Sequence, residues 1–246
     1  MGTLGTSFGV AAGDYEKGRP SYPPEAVAWI LGGTPLRVLD AGAGTGKLTA
    51  EVVRQGHQVI ALDPDAAMLE TLHLAVPGVE TRVGTAEATG LPDSSVDAVV
   101  FGQAWHWVDV ASASAEMARV LRPGGVLGLI WNIRDEEVAW VARLTEVMHG
   151  SKAEEMLAGT GPEVGAPFGQ LEHFEFRWAR AMTADELVAM ARSRSYYIAG
   201  TDANRARIDS GLADLMSDLP GLAEHGRVDL PYVTRAYRVT RPEAAR

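Results

Sequence analysis

A short apolar strand that ends in an aspartate and runs straight into a glycine-rich turn and a helix restricts the possible folds of this chain. Residues 37–40 read as the buried strand, 41–46 as the turn, and 47–55 as a helix that stops at Gly56. Because the helix follows the strand so closely, the two elements must pack against each other. This unit predicts the start of an α/β fold.

The same unit recurs along the first half of the chain. Further strands are predicted at 58–62, 81–84, 96–101 and 126–131, with helices at 66–75 after the cap Asp65 and from the cap Asp109 to a stop at 123–125. Short apolar strands that alternate with helices indicate a doubly wound parallel sheet covered on both faces. In such a sheet the ligand crevice lies beyond the carboxyl ends of the strands.

The second half of the chain has a weaker pattern. It predicts a helix at 136–149, a Gly/Pro-rich stretch at 159–169, a strand at 173–179, helices at 184–192 and 203–216, and a last strand at 228–239. We find no internal repeat and no low-complexity tract.

Composition excludes several function classes. The 246 residues carry 32 acidic and 22 basic side chains, a net charge of −10, which does not favour nucleic acid as a partner. No apolar run approaches the roughly 18 residues of a membrane span, and no signal-peptide pattern opens the chain, so we expect a cytoplasmic protein without a membrane partner. With 0 cysteines, disulfides, thiolate zinc sites and thiol nucleophiles are excluded. The oligomeric state stays open.

The glycine turn predicts a ligand that carries both charges. Gly42, Gly44 and Gly46 let main-chain amides near a helix N-terminus approach an anionic group. Asp40, directly before them, would repel a pyrophosphate but pairs well with an ammonium group.

Other known motifs do not fit. The phosphate-binding loop fails on its spacing and on Leu48 after Lys47, and the dinucleotide fingerprint is matched only imperfectly. The chain lacks the G-x-S-x-G nucleophile elbow and the H-E-x-x-H zinc motif, so we predict no metal site.

Five segments in order resemble class I S-adenosylmethionine-dependent methyltransferases, in which acid-x-G-x-G-x-G surrounds the methionine end of the cofactor. They are residues 38–46, 63–69, 84–87, 97–103 and 121–125. The leader 15–23 and the segment 103–109 resemble the small-molecule methyltransferases related to trans-aconitate methyltransferase, the type 11 group. The resemblance covers somewhat over a third of the chain.

This resemblance implies a cofactor, S-adenosylmethionine, with S-adenosylhomocysteine as product. Asp63 would accept hydrogen bonds from both ribose hydroxyls, Met68 would pack by the adenine, the segment with Glu87 would meet the adenine edge, and Gln103 would lie along the methionine moiety. The full implied set of cofactor-binding residues is Tyr15, Arg19, Asp40, Gly42, Ala43, Gly44, Thr45, Gly46, Leu48, Asp63, Pro64, Met68, Ala86, Glu87, Gln103 and Ala104.

The implied reaction is in-line transfer of the methyl group to a small-molecule carboxylate or hydroxyl. His106 follows the fourth predicted strand and is the candidate general base, although it serves equally well as a hydrogen-bonded residue that shapes the pocket. The candidate substrate-binding residues are Tyr22, Trp105, Trp107, Trp131, Arg194 and Tyr197.

The implied fold is a Rossmann-like, doubly wound sheet of seven strands with the last strand antiparallel, an N-terminal lid and helical cap insertions. We expect one methyltransferase domain over 1–246, with the lid at 1–34, the cofactor-binding core at 35–134, and cap helices and last strands at 135–246.

Three alternative functions remain. A nicotinamide-dependent oxidoreductase would share the sheet, a non-catalytic protein would bind S-adenosylmethionine without turnover, and an RNA or protein methyltransferase would want a basic groove or an Asn-Pro-Pro-Tyr-like fourth motif.

Overall fold

The fold is that of a single seven-stranded sheet. A computed structural model describes residues 20–148 and 152–243, so the predicted lid residues Tyr15 and Arg19 lie outside the described part. The strands are β1 (Arg37–Ala41), β2 (Gln58–Asp63), β3 (Glu80–Val83), β4 (Val96–Gly102), β5 (Leu121–Arg134), β6 (Glu172–Met182) and β7 (Val228–Thr240). Their order in the sheet is β3-β2-β1-β4-β5-β7-β6, with the last strand antiparallel, as expected.

Helices connect these strands. They are α1 (Pro24–Leu31), α2 (Lys47–Arg54), α3 (Ala66–Ala75), α4 (Val110–Val120), α5 (Ala139–Met148), α6 (Lys152–Ala158), α7 (Ala184–Arg192), α8 (Ser195–Ile198), α9 (Asp202–Ser217) and α10 (Pro220–His225). A 3₁₀ turn spans Trp105–Trp107. The two predicted caps are confirmed: Asp65 Oδ1 accepts from the Ala67 N–H at 2.9 Å, and Asp109 Oδ1 accepts from the Ser112 N–H at 2.9 Å.

The register of the parallel strands brings the ends of β1, β2 and β4 together. Asp40 of β1 lies opposite Ala61 of β2 and Val100 of β4. Asp63 closes β2, two residues beyond Ala61, and Gly102 closes β4, two residues beyond Val100. The residues that follow these strands therefore meet at one edge of the sheet, where the sequence pattern predicts the crevice.

The fifth strand differs from its prediction, because it begins at Leu121 and not at Val126. Leu121 pairs with Val96 of β4. The Gly124 N–H donates to the Arg241 carbonyl at 3.1 Å, and the Arg241 N–H donates to the Gly125 carbonyl at 2.8 Å. Two residues of the predicted free turn thus make hydrogen bonds to Arg241, directly after β7, which their Gly/Pro composition does not indicate.

The described residues form two compact units, each with its own core. The larger unit contains 21–132, 152–176 and 234–243; the smaller contains Pro20, 133–148 and 177–233. In the larger unit, side chains of α1, such as Ile30, pack with Val38, Leu48 and Ala98. The core of the smaller unit joins side chains of α5, α7, α9 and β7. Every residue of the glycine turn belongs to the larger unit.

Two features are absent from residues 20–148 and 152–243. None of their helices has the length and apolar character needed to span a membrane. Nor do they contain a cluster of three or more His, Asp and Glu side chains arranged to hold a metal ion.

Candidate functional site

Asp40 is a fully buried carboxyl group at the centre of the site. Its side chain is 0% exposed, and its Oδ2 accepts a hydrogen bond from the Thr49 hydroxyl at 2.6 Å. Burial raises the pKa of Asp40 to about 7, and the nearby charge of Asp63 acts in the same direction, whereas the bond from Thr49 opposes the rise. Thr49 was not predicted, although a hydroxyl in the first turn of the helix after the glycines is a signal that would have found it.

The glycines following Asp40 adopt a conformation that other residues rarely take. Gly42, Gly44 and Gly46 have φ of 72°, 55° and 89°. A Cβ on Gly42 would stand 2.6 Å from the Cβ of Ala104, and one on Gly46 would stand 2.7 Å from the Cγ of Leu72. Both the backbone angles and the space therefore require glycine at these two positions.

Asp63 lies beside the glycine turn and is held by main-chain donors. Its Oδ2 accepts from the Gly44 N–H at 2.8 Å, and its Oδ1 accepts from the Asp65 N–H at 2.9 Å. Burial raises the pKa of Asp63, while these two backbone hydrogen bonds lower it. Since each carboxylate oxygen has two lone pairs, both oxygens retain one for a ligand donor.

Two buried oxygens at this turn have no hydrogen-bond partner within 20–148 and 152–243. They are Oδ1 of Asp40 and Oγ1 of Thr45. A buried polar atom without a partner costs free energy, so in native proteins such an atom usually bonds to a ligand, an ion or an ordered water. A group with an ammonium and hydroxyl donors fits this arrangement, and a pyrophosphate does not, because Asp40 and Asp63 are both acceptors.

Four further residues of the predicted cofactor-binding set differ in their exposure. Met68 on α3 is 5% exposed, Ala86 is 9% exposed, and Leu48 on α2 is 3% exposed, whereas Pro64 is exposed. The Glu87 carboxylate accepts from the Asp109 N–H at 3.0 Å, which ties the loop after β3 to the start of α4.

Gln103 holds the end of β4 against β5. It has φ of 57°, an uncommon value for a residue with a side chain. Its Nε2 donates to the Asn132 carbonyl at 2.9 Å, and its own N–H donates to the Ile130 carbonyl at 2.9 Å. Strained backbone of this kind is found at functional sites more often than elsewhere.

The three residues after Ala104 differ in their exposure to solvent. Trp105 is 1% exposed, and its Nε1 donates to the Glu163 carbonyl at 2.8 Å, while Trp107 is 49% exposed. His106 lies between them, and its Nδ1 accepts from Nε1 of the fully buried Trp131 at 3.3 Å. The structure thus brings His106 and Trp131 into direct contact.

The remaining substrate candidates fall into both units. Tyr22 is buried in the larger unit, and its hydroxyl would stand 2.7 Å from a Cβ on Gly102, so it lies directly over the end of β4. Arg194 and Tyr197 belong to the smaller unit. Arg194 is 8% exposed there, and the Tyr197 hydroxyl donates to the Asp209 carboxylate at 3.0 Å.

Comparisons with known proteins point to one kind of enzyme. The family model described as a methyltransferase domain matches residues 39–129. An uncharacterized methyltransferase of Mycobacterium tuberculosis (strain ATCC 25618 / H37Rv) is 45% identical over 239 residues, 96% of each chain. A malonyl-[acyl-carrier protein] O-methyltransferase of Methylococcus capsulatus is 38% identical over 136 residues, 50% of this chain and 49% of that protein. A solved structure provisionally described as a type II methyltransferase from Anaeromyxobacter dehalogenans superposes with a TM-score of 0.62 at 27% identity, covering 92% of this chain and 97% of that one.

Proposed function

Because this chain belongs to the class I S-adenosylmethionine-dependent methyltransferases of the type 11 group, we propose that it methylates an oxygen of a small-molecule carboxylate or hydroxyl. The oxidoreductase and the non-catalytic alternatives are set aside, since relatives over nearly the whole length are named methyltransferases. A cytoplasmic location and the choice of a small molecule over a macromolecule stay predictions.

The observation that carries the proposal is the pair of acids at the ends of β1 and β2, joined by the glycine turn. Asp40 would pair its unpartnered oxygen with the ammonium group of the cofactor, and Asp63 would accept from the ribose hydroxyls. The other residues proposed to hold it are those expected from the sequence on the turn, α2, α3, the loop after β3 and the end of β4, together with Tyr15 and Arg19. When bound, S-adenosylmethionine supplies a methyl group already activated by a positively charged sulfur.

The chain's own contribution is alignment and exclusion of water. Gln103 and Ala104 fix the backbone at the end of β4. The buried side chains around that end, which keep water away from it, are Tyr22, Trp105 and Trp131. Holding the nucleophile in line with the methyl group turns a bimolecular reaction into an effectively unimolecular one. We include Trp107 as a further acceptor-binding residue and His106 as a residue of the acceptor side, while Arg194 and Tyr197 of the smaller unit stay predictions.

An oxygen nucleophile is favoured by two facts. The relative from Methylococcus capsulatus is named for O-methylation. The surroundings of β4 also supply donors suited to an oxygen, namely the Gln103 amide and the His106 imidazole. The net charge of −10 does not favour a polyanionic acceptor.

The test is methyl transfer from S-adenosylmethionine labelled in its methyl group. The full chain is incubated with small carboxylates, alcohols and phenols, and in parallel with bulk tRNA and with unfolded protein. We expect label in a small-molecule fraction and none in the macromolecules. Label in tRNA or protein, or transfer only to amines, would contradict the proposal. A chain with Asp63→Ala is the control, which should transfer little label at a limiting cofactor concentration.

A further inference from the structure

The contact between Trp131 and His106 fixes where the imidazole carries its proton. Nε1 of Trp131 donates to Nδ1 of His106 at 3.3 Å. An indole N–H is a donor only, and Trp131 is 0% exposed, so this N–H needs an acceptor inside the protein. If the imidazole were turned over, it would present a C–H to the indole and leave a buried donor unsatisfied.

It follows that Nδ1 must keep its lone pair. In a neutral imidazole one nitrogen is a donor and the other an acceptor, so the hydrogen lies on Nε2. An imidazolium would carry hydrogens on both nitrogens and set an N–H against the indole N–H. The contact with Trp131 therefore disfavours the protonated form that a general base must reach after it takes a proton.

We propose that His106 acts as a hydrogen-bond donor through Nε2 and not as a general base, that Trp131 is the positioning residue that sets this tautomer, and that the acceptor is consequently a carboxylate. This inference rests on the proposed function, because it concerns the acceptor side of the same site. It selects one of the two oxygen nucleophiles, since a neutral Nε2–H can orient a carboxylate oxygen but cannot remove a proton from a hydroxyl.

A carboxylate acceptor balances the reaction without a base. One carboxylate oxygen forms the new O–CH₃ bond with its own electron pair, and the pair of the broken S–CH₃ bond stays on sulfur. The acceptor loses its negative charge, the sulfur loses its positive charge, and no proton leaves. A hydroxyl acceptor would release a proton, and the one lone pair of His106 in this tautomer, on Nδ1, already accepts from the Trp131 N–H.

The tautomer is measured directly by long-range ¹H–¹⁵N NMR on the full chain with ¹⁵N-labelled histidine at neutral pH, saturated with S-adenosylhomocysteine. The His106 signals are those lost in His106→Gln. We expect a protonated Nε2 and an unprotonated Nδ1, and a mixture of tautomers in Trp131→Phe. The control Trp107→Phe, which changes a ring 4.9 Å from the imidazole, should keep the wild-type signals. A wild-type imidazolium or Nδ1–H form would overturn the proposal whatever the variants do.

A rescue experiment separates the two roles in turnover. With the acceptor found by the labelling assay, His106→Gln, whose amide offers an N–H near the place of Nε2, should retain most of kcat, and His106→Ala should lose it. Equal loss in both variants would support a base and contradict the proposal. So would a methylated product that is stable to alkali, because a methyl ester releases methanol there and a methyl ether does not. Failure of S-adenosylhomocysteine to bind would instead refute the proposed function, and the tautomer would then be measured on the unliganded chain.

Discussion

The main-chain N–H of Gly44 donates to Oδ2 of Asp63 across 2.8 Å, so the glycine turn after β1 is attached directly to the end of β2. This carboxylate thereby fixes the glycine turn, and each of its oxygens keeps a lone pair that, in the proposed function, accepts from a ribose hydroxyl. The two cofactor-binding elements expected from the sequence are therefore a single hydrogen-bonded unit.

Asp63→Ala should weaken the binding of S-adenosylhomocysteine at least tenfold. Hydrogen bonds to a charged group contribute about 1.5–3 kcal/mol each, and about 1.4 kcal/mol corresponds to a factor of ten. The matched control is Asp97→Ala, which removes a carboxylate that also accepts a main-chain N–H, from Arg37 at 2.8 Å, but at the opposite ends of β1 and β4. Calorimetric titration should show unchanged affinity for that variant; equal losses would mean that Asp63 acts only through folding.

Asp40 makes stability depend on pH in a direction opposite to most carboxylates. The pKa of Asp40 is raised to about 7 in the folded protein, whereas an unfolded chain releases this proton near 3.8, the ordinary value for an aspartate. Between these two values the folded state binds more protons, so the contribution of Asp40 to stability falls as the pH rises.

The measurement for Asp40 is urea unfolding from acidic to neutral pH, for the wild type and for Asp40→Asn. Because the asparagine cannot ionise, the wild type should lose stability relative to the variant as the pH rises toward 7, by at most about 1.4 kcal/mol per pH unit. A difference that stays constant, or that changes in favour of the wild type, would show that the buried carboxyl is already ionised in acid.

Gly42→Ala should damage both folding and binding, because it meets two obstacles. The φ of 72° costs a residue with a Cβ roughly 1–2 kcal/mol, and the new methyl would stand 2.6 Å from Ala104. Gly78→Ala is the control: its φ is 86°, but a Cβ there has nothing within 4 Å. In chemical denaturation Gly42→Ala should lose clearly more stability than Gly78→Ala. Equal losses would mean that the structure relieves the contact between the new methyl group and Ala104 without a cost in stability.

The two tryptophans beside His106 should respond differently to phenylalanine. Trp105→Phe removes the hydrogen bond to the Glu163 carbonyl and leaves space in a buried position, so we expect a loss of about 1 kcal/mol or more. Trp107→Phe changes a ring that is 49% exposed and should stay within about 0.5 kcal/mol of the wild type. Thermal unfolding of both variants measures these losses of stability. A larger loss in Trp107→Phe than in Trp105→Phe would contradict the prediction and would mean that the Trp107 ring makes the tighter contacts.

Local signals predicted most of the first half of the fold. The helix at 66–75 and its cap Asp65 were predicted at the observed positions, because a cap, a proline at the preceding turn and apolar periodicity all agree there. The helices α6 and α10 were not predicted, since 7 and 6 residues are too short to show a period. The early start of β5 was missed because it depends on pairing with Val96 and Arg241, which are distant in sequence.

The candidate site shows the same division. Asp40 and the glycines could be found from the sequence because strand, turn and helix are contiguous. The hydroxyl of Thr49, in the first turn of the next helix, was a local signal that the prediction missed. The indole of Trp131 on His106 could not be found, because that contact depends on how elements pack. For His106 the difference matters chemically: its position suggests a base, whereas its hydrogen-bond partner determines which nitrogen can accept a proton.

The most direct test of the site is isothermal titration of the purified full chain with S-adenosylhomocysteine and, separately, with NADH. If Asp40 receives an ammonium group and Asp63 receives ribose hydroxyls, S-adenosylhomocysteine binds with one site per chain, Asp63→Ala binds it at least tenfold more weakly, and NADH gives no heat of binding. Binding of NADH with no response to S-adenosylhomocysteine or S-adenosylmethionine would contradict the account.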